Sequence, residues 1–271
     1  MKIFISIIIV TYNSERFLAK CLKPLRGVPD VEVIVVDNNS TDKKYLESED
    51  NDNIRILYLK DNLGFGRANN LGLNEKSTCA THIVFLNHDV FLRDEWLYVL
   101  KQKLMSDVNF GILSGPLLGY DIEQLRATGK YDSLGLGKTV YGKWFDIGQG
   151  ETIENRVKKD IKVAGVCGAL MVMKMSLVDD LKNDDELFDS NYFMYKEDID
   201  LSIRVTNLGL DHLIEDKLWA YHCRGWNKDR KTVDKKWKIM SAKNELYMNY
   251  KFKNITVFYS LIKLIYVFSF E

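Results

Sequence analysis

"IFISIIIVTYN", Ile3 to Asn13, is the stretch on which the fold turns. Before Thr11 it holds one polar residue, Ser6, in a run of isoleucine, valine and phenylalanine. Uninterrupted runs of this kind belong to strands covered on both faces, as the central strands of parallel sheets are. A secretory leader also begins with a lysine and an apolar run. This run is short, lacks a small-residue cleavage site and passes directly into Thr11, Tyr12 and Asn13, so a buried strand is the better reading.

Outward from that strand the pattern repeats. "SERFLAKCLKPLR" spaces Phe17, Leu18, Cys21, Leu22 and Leu25 as a helix does, with Ser14 placed to cap it. "VEVIVVDNNSTD" and "IRILYL" read as strands, "GFGRANNLGLNEK" as a helix, "THIVFLNHDV" as a strand and "DEWLYVLKQKLM" as a helix. Strands alternating with helices predict an α/β fold with a doubly wound, mostly parallel sheet and flanking helices. The alternation lapses from Gly119 to Gly150, a glycine-rich stretch with Tyr131, Tyr141, Trp144 and Phe145 that reads as a turn-rich hairpin or a loop over a site. It resumes with "KVAGVCGALMVMKMSLV", then an amphipathic helix in "NYFMYKEDIDLSIRVTNLG" that ends at Gly209. A strand in "DHLIEDKLWAYHCRGW" and a helix in "KKWKIMSAKNELYMNYKF" follow.

With 271 residues, 46% of them apolar, and only three prolines, the chain can bury a large core and leaves little for disordered linkers. Its 38 lysines and arginines balance 38 aspartates and glutamates, so no global basic field draws it to nucleic acid. Cys21, Cys79, Cys167 and Cys223 form no C-x-x-C pair, which fits a reducing compartment and gives no metal cluster.

Open parallel sheets bind ligands beyond the carboxyl ends of their strands. Four polar clusters are expected on that rim: Thr11-Tyr12-Asn13, Asp37-Asn38-Asn39, Asn62 to Asn69, and Asn87-His88-Asp89. The third, in "NLGFGRANN", lacks a dinucleotide fingerprint, because Asn69 stands where the third glycine would let helix and strand pack closely.

"SIIIVTYNSERFLAKCL", "VIVVDNNSTD", "NLGFGRANNLGL", "FLNHDV", "GALMVMK", "FMYKEDIDLSIRV" and "YHCRG" occur in the order seen in family 2 glycosyltransferases. The chain resembles that family over Ile3 to Gly225, and most of all its rhamnosyltransferase-type branch. The resemblance implies a GT-A fold, an inverting transfer, and a nucleoside diphosphate sugar as donor, a dTDP- or UDP-sugar. The implied acceptor is a hydroxyl of a surface polysaccharide or lipid-linked glycan.

The same resemblance assigns residues. Thr11, Tyr12, Asn13, Asp37, Asn39, Asn62, Gly64, Phe65, Gly66, Arg67, Asn69 and Asn87 fall on the donor side. Asp37 and Asn39 match positions that hold pyrimidine and ribose, and an ionised carboxylate suits their N–H and hydroxyl donors. Gly64 and Gly66 would let backbone approach the nucleotide, and Arg67 offers a fork to phosphate. A mononucleotide sugar is then the guest, so Asn69 is no defect. Asp89 is a hard oxygen ligand for a divalent cation, Mg or Mn, with His222 as a second ligand. Asn87 replaces the first acid of the family's D-x-D. Asp198 matches the catalytic base, with Glu197 as its rival, while Asp200 pairs with Arg204 one turn on. Arg224 and Trp226 stand open between shaping the site and a surface role.

The tail "ITVFYSLIKLIYVFSF" is short for a spanning helix, interrupted by Lys263, and too apolar for a solvated one. Lys235, Lys236, Lys238, Lys243, Lys251 and Lys253 precede it, which suits docking at a membrane surface; packing on the catalytic domain or a dimer partner is the alternative. An end within an apolar stretch also fits a truncated chain. The expected division is residues 1–228 for the transferase domain and 229–271 for a C-terminal helical extension, in a cytoplasmic protein peripheral to the inner face of the cell membrane. Two other functions stay open: a nucleotidyltransferase on a related sheet, and a glycan-binding protein without turnover.

Overall fold

The computed structural model describes residues 2–106, 109–153, 159–224 and 233–270. β1 (Ile5–Thr11), β2 (Val31–Asp37) and β3 (Ile54–Tyr58) lie side by side and parallel, and β4 (His82–Leu86) pairs parallel with the other edge of β1. α1 (Leu18–Leu22), α2 (Lys44–Glu47) and α3 (Phe65–Asn74) connect them. β1 is buried on both faces: Ile7 and Ile9 join Val33 and Val35 in one core, while Ile8 joins Ile34, Val36, Ala68 and Leu73 in the other. Each such side chain contributes about 1.5–3 kcal/mol by leaving water.

Ser14 does not cap α1 with its side chain. Its Oγ accepts from the Tyr12 amide at 3.2 Å and donates to the Tyr12 carbonyl at 3.1 Å, while its own carbonyl accepts the Phe17 and Leu18 amides. The close packing of α3 on the sheet is also handled differently from the fingerprint. A Cβ on Gly72 would lie 2.7 Å from Ile8 and 2.9 Å from Val36, so Gly72 is the residue that lets helix and strands touch.

The second half of the chain builds β5 (Val90–Phe91), α4 (Trp96–Met105), β6 (Leu113–Ser114), β7 (Leu117–Asp121), β8 (Arg126–Ser133), β9 (Leu136–Lys138) and β10 (Trp144–Asp146). There follow β11 (Ile161–Val163), β12 (Leu170–Lys174), α5 (Met175–Leu181), α6 (Glu197–Asn207), β13 (His212–Ile214), β14 (Ala220–His222), α7 (Lys235–Lys251) and α8 (Val257–Phe270). The large sheet runs β11-β13-β6-β12-β4-β1-β2-β3. It is parallel from β4 to β3 and becomes mixed beyond, because β12 lies antiparallel to both β4 and β6. Gly209, at φ +79°, lies just beyond the end of α6 as expected.

A smaller sheet, β5-β14-β7-β8, stands beside it. Two stretches that read as single strands are therefore each divided. "THIVFLNHDV" gives β4 to the large sheet and β5 to the small one, and "DHLIEDKLWAYHCRGW" gives β13 to the large and β14 to the small. The Gly119–Gly150 region is not a loop alone: β7 and β8 form a hairpin, and β9 and β10 pair as a second one.

Asp234 caps α7 by accepting the Lys236 amide at 2.7 Å. α8 folds back along α7 with Ser260 and Val267 turned inward, and Asn249 Nδ2 reaches Ser260 Oγ at 2.6 Å. The boundary between 228 and 229 lies outside the described residues. No helix among the described residues is long and apolar enough to cross a membrane.

Candidate active site

The small sheet assembles one wall of the site. β14 pairs antiparallel with β5, setting His222 opposite Val90, and the Cys223 amide donates to the Asp89 carbonyl at 3.0 Å. β8 reaches the same place through β7 and contributes Asp132. The His222 ring then lies between two carboxylates. Its Nδ1 bonds Asp132 Oδ2 at 2.7 Å, and its Nε2 is 3.3 Å from Asp89 Oδ1. Burial opposes a charged ring here, but the two acids outweigh it and lift the His222 pKa to about 9. Burial works against the Asp89 charge too, yet the imidazolium draws its pKa down to about 2.

The opposite wall is the first turn of α6. Glu197 and Asp198 are its first two residues, so their carboxylates project from one helix start. Asp198 is held by two backbone amides, Gly168 N to Oδ2 at 2.9 Å and Ile199 N to Oδ1 at 2.8 Å. Gly168 favours this approach, because a Cβ there would make a tight 3.2 Å contact with Asp198 Cβ. Glu197 is buried and its pKa is raised to about 8, by desolvation first and by the neighbouring Asp198 second. Burial raises the Asp198 pKa as well. Asp200 faces away from this turn into a network with Arg204 Nε at 2.8 Å, Lys251 Nζ at 2.7 Å and the Tyr192 hydroxyl at 3.1 Å.

Between the walls lies a cavity of about 810 Å³, lined by Asn87, Asp89, Glu197, Asp198 and His222 among others. α7 and α8 close one side of it with Trp237, Lys238, Ser241 and Lys263. Seven buried side-chain atoms among the described residues have no hydrogen-bond partner, and three of them, Asp89 Oδ1, Asp146 Oδ1 and Glu197 Oε2, belong to residues lining this cavity. All three are carboxylate oxygens, which need a donor or a cation.

Asp89 Oδ1, which makes the 3.3 Å ion pair with His222 Nε2 and no well-formed hydrogen bond, suits a divalent cation. Asp132 on Nδ1 would orient the ring for it, as carboxylates commonly do behind metal-bound histidines. The cation would take the place of the His222 proton. Among the described residues no group of three or more His, Cys, Asp or Glu side chains is arranged to hold a metal. Further ligands would thus come from a bound diphosphate or water. His88 stays apart, with its Nδ1 bonded to the Val10 carbonyl at 3.0 Å.

Of the donor-side residues, Phe65 and Asn87 line the cavity. Thr11, Tyr12, Asn13, Asp37 and Asn39 gather at the ends of β1 and β2, where Thr11 and Asp37 are register partners. Tyr45 ties this rim together, its hydroxyl 3.2 Å from Thr11 Oγ1 and 3.0 Å from Ser40 Oγ. Asp37 is fully buried, accepts the Ser40 amide at 3.1 Å and has Lys43 Nζ at 3.6 Å. Tyr12 is exposed, as is Asn39, which like Asn13 adopts a positive φ.

The glycines of "NLGFGRANN" carry a packing duty within the chain. A Cβ on Gly64, at φ +82°, would sit 2.1 Å from the Phe193 carbonyl oxygen, and one on Gly66 would sit 3.2 Å from Phe188 Cβ. Their open sides face the 188–193 segment. The Phe65 amide donates to the Phe193 carbonyl at 2.8 Å, Arg67 Nε donates to the Ser190 carbonyl at 3.1 Å, and Asn70 bonds both amide and carbonyl of Phe188. Asn62 Oδ1 accepts from Asn38 Nδ2 and from the Gly64 amide, both at 3.0 Å, and Asn69 Nδ2 donates to the Phe65 carbonyl at 3.0 Å.

Sequence reasoning missed Asp132, Gly168 and Asp146. Arg224, left open there, donates to Asp146 Oδ2 at 2.7 Å and lines the cavity. Trp226 lies outside the described residues.

A large mixed sheet with a smaller mixed sheet beside it, and a cavity at their junction walled by acids and a histidine, is the GT-A arrangement of glycosyltransferases. The chain belongs to glycosyl transferase family 2, whose model matches residues 6–182. That span includes Asp89 and stops before Glu197, Asp198 and His222. Among curated proteins, it is 30% identical over 111 residues to "Glycosyltransferase GlyA" of Streptococcus pneumoniae, covering 38% of this chain and 15% of the relative. It is 33% identical over 92 residues to the teichoic acid poly(glycerol phosphate) polymerase of Staphylococcus epidermidis, covering 31% of this chain and 12% of the relative. The chain thus aligns with only a small part of these longer proteins. Among solved structures, residues 1–349 of S. aureus TarS superpose with a TM-score of 0.60 at 17% identity, over 99% of this chain and 73% of that one. The mannosyltransferase PcManGT of Pyrobaculum calidifontis, in complex with GDP-Man and Mn2+, gives 0.59 at 14% identity, over 100% and 71%. At these identities the likeness speaks for the fold.

Proposed function

We propose that the chain is an inverting glycosyltransferase. It moves a sugar, rhamnose in the reading the sequence favours, from a dTDP- or UDP-linked donor to a hydroxyl of a surface polysaccharide or lipid-linked glycan. The observation that carries this reading is the set of three carboxylate oxygens without a hydrogen bond, on residues lining one cavity and beside an imidazole. Asp198 takes the proton of the acceptor hydroxyl as its oxygen attacks the anomeric carbon; the bond from that carbon to the diphosphate breaks on the opposite face. A base whose pKa burial raises suits that task. Asp89 and His222 would hold the cation, Mg or Mn. The cation supplies positive charge for the departing diphosphate. Thr11, Asp37 and Asn39 would hold the nucleoside on the neighbouring rim.

The same reading keeps residues 1–228 as the transferase domain and 229–271 as an extension. It sets the protein at the cytoplasmic face of a membrane. What supports this is the outer side of α8, where Phe258, Tyr259, Ile262, Ile265, Tyr266 and Phe268 are all exposed. Exposed Lys235, Lys236 and Lys253 flank the helix pair and suit anionic lipid. Co-sedimentation with anionic vesicles tests it: Ile262→Glu with Ile265→Glu should release the protein, and equal sedimentation of variant and wild type would leave protein packing as the explanation.

A thermal-shift panel of nucleotide sugars, with and without manganese, tests the main reading. Stabilisation by one nucleoside diphosphate sugar, greater with the metal, is expected. A preference for nucleoside triphosphates would favour a nucleotidyltransferase, and glycan binding with no turnover of any donor would favour a binding protein.

A further inference from the structure

The turn that delivers Glu197 and Asp198 uses backbone that most side chains avoid. Tyr195 and Lys196, neither of them glycine, lie at φ +76° and +79°. Left-handed residues of this kind persist only where their surroundings hold them. Lys196 is the residue that precedes α6, and it makes no side-chain cap. The hold comes from α7. Asn244, buried at 8% exposure, sets its Nδ2 2.9 Å from the Met194 carbonyl oxygen and 2.9 Å from the Tyr195 carbonyl oxygen, one amide hydrogen for each. The Tyr195 ring also stands edge-on to Trp237 of α7, centroids 6.4 Å apart.

We infer that Asn244 is a positioning residue: by pinning two successive carbonyls it fixes the left-handed turn and so sets Glu197 and Asp198 against the cavity. An α7 residue that served only helix packing would have no reason to spend both hydrogens on this turn. The effect on turnover rests on the reading of Asp198 as the base; the placement itself rests on the geometry.

The test combines kinetics with a readout that needs no turnover. The amides of Gly168 and Ile199 bond the Asp198 carboxylate, so their hydrogen exchange reports where Asp198 is held. Asn244→Ala should speed exchange at both. It should also lower kcat by about tenfold or more, as small misplacements of a reacting group do, while donor affinity by titration stays the same. Lys196→Gly removes the steric cost of the left-handed turn, so Asn244→Ala should cost less kcat in that background than in the wild type. Should Asn244→Ala not fold, Asn244→Ser, which keeps a single donor, is expected to show the same pattern at smaller size. Wild-type exchange at Gly168 and Ile199 in the folded variant overturns the inference, and so does an equal kcat loss in both backgrounds. Faster exchange with unchanged kcat supports the placement and removes Asp198 from the role of base.

Discussion

The two walls of the cavity hold charge in opposite ways. On the wall built by the small sheet and the β9–β10 hairpin each acid meets a cation: His222 lies between Asp89 and Asp132, and Arg224 pairs with Asp146. On the α6 wall two neighbouring carboxylates share one helix turn, and Glu197 Oε2 has no hydrogen-bond partner among the described residues. The first wall lowers the pKa of its acid to about 2, and the second raises that of Glu197 to about 8. One cavity thus offers a standing anionic site on one side and, on the other, a carboxyl that holds its proton at neutral pH. Environments that push titratable groups apart in this manner are how a site divides its acid, base and charge-binding roles.

The largest expected break in this contrast is Asp198→Asn. It keeps the size of the side chain and removes its basicity, so kcat should fall by ~10²–10⁴-fold with donor affinity unchanged. A variant that loses donor binding instead would move Asp198 to the other wall's role. Asp89→Ala should cost ~10²–10³-fold in turnover and abolish the dependence on divalent ions. Full wild-type activity in excess chelator would remove the cation from the scheme. Asp132→Asn touches neither substrate nor cation and should weaken divalent-ion affinity by about 10–100-fold, measured by titrating activity with manganese. Unchanged affinity would make Asp132 a structural partner only.

The smallest effect sharpens the contrast without any substrate. Glu197 is ordinarily ionised above a pKa of 4.5, but in the folded chain it keeps its proton up to about 8. The folded state binds the proton more tightly than the unfolded one, so stability falls as pH rises between those two values and levels off above them. Glu197→Gln cannot ionise and should escape that loss. Its melting temperature should pull ahead of the wild type as pH rises from about 5 to about 8, by roughly 2–4 °C for each ~1 kcal/mol. Parallel melting curves across that range would show that Glu197 is not held protonated.

Much of the site's frame was legible in the sequence, and its wiring was not. β1, β2, α3, α6 and α7 announce themselves through runs and spacing that local burial dictates. The division of "THIVFLNHDV" and "DHLIEDKLWAYHCRGW" between two sheets depends on β7 and β8, whose pairing is decided far along the chain. Asp132 could not be singled out for the same reason: it is one acid in a polar hairpin until β8 carries it to His222. Gly168 carried only a faint signal, a glycine just ahead of an apolar strand, and its meaning comes from a carboxylate thirty residues later. The glycines of "NLGFGRANN" stood out in the sequence, but their packing against the 188–193 segment did not, because no local pattern ties that segment to residue 64.

That last contact bears on how the protein can be rebuilt. Gly64 and Gly66 fit against Phe193 and Phe188, and Asn70 closes on the amides of Leu187 and Phe188. A graft that imports the 62–70 stretch of a relative alone would place foreign side chains against an unchanged backbone oxygen. The chimera that keeps its footing exchanges 62–70 and 187–194 together, as one block cut from two places in the chain.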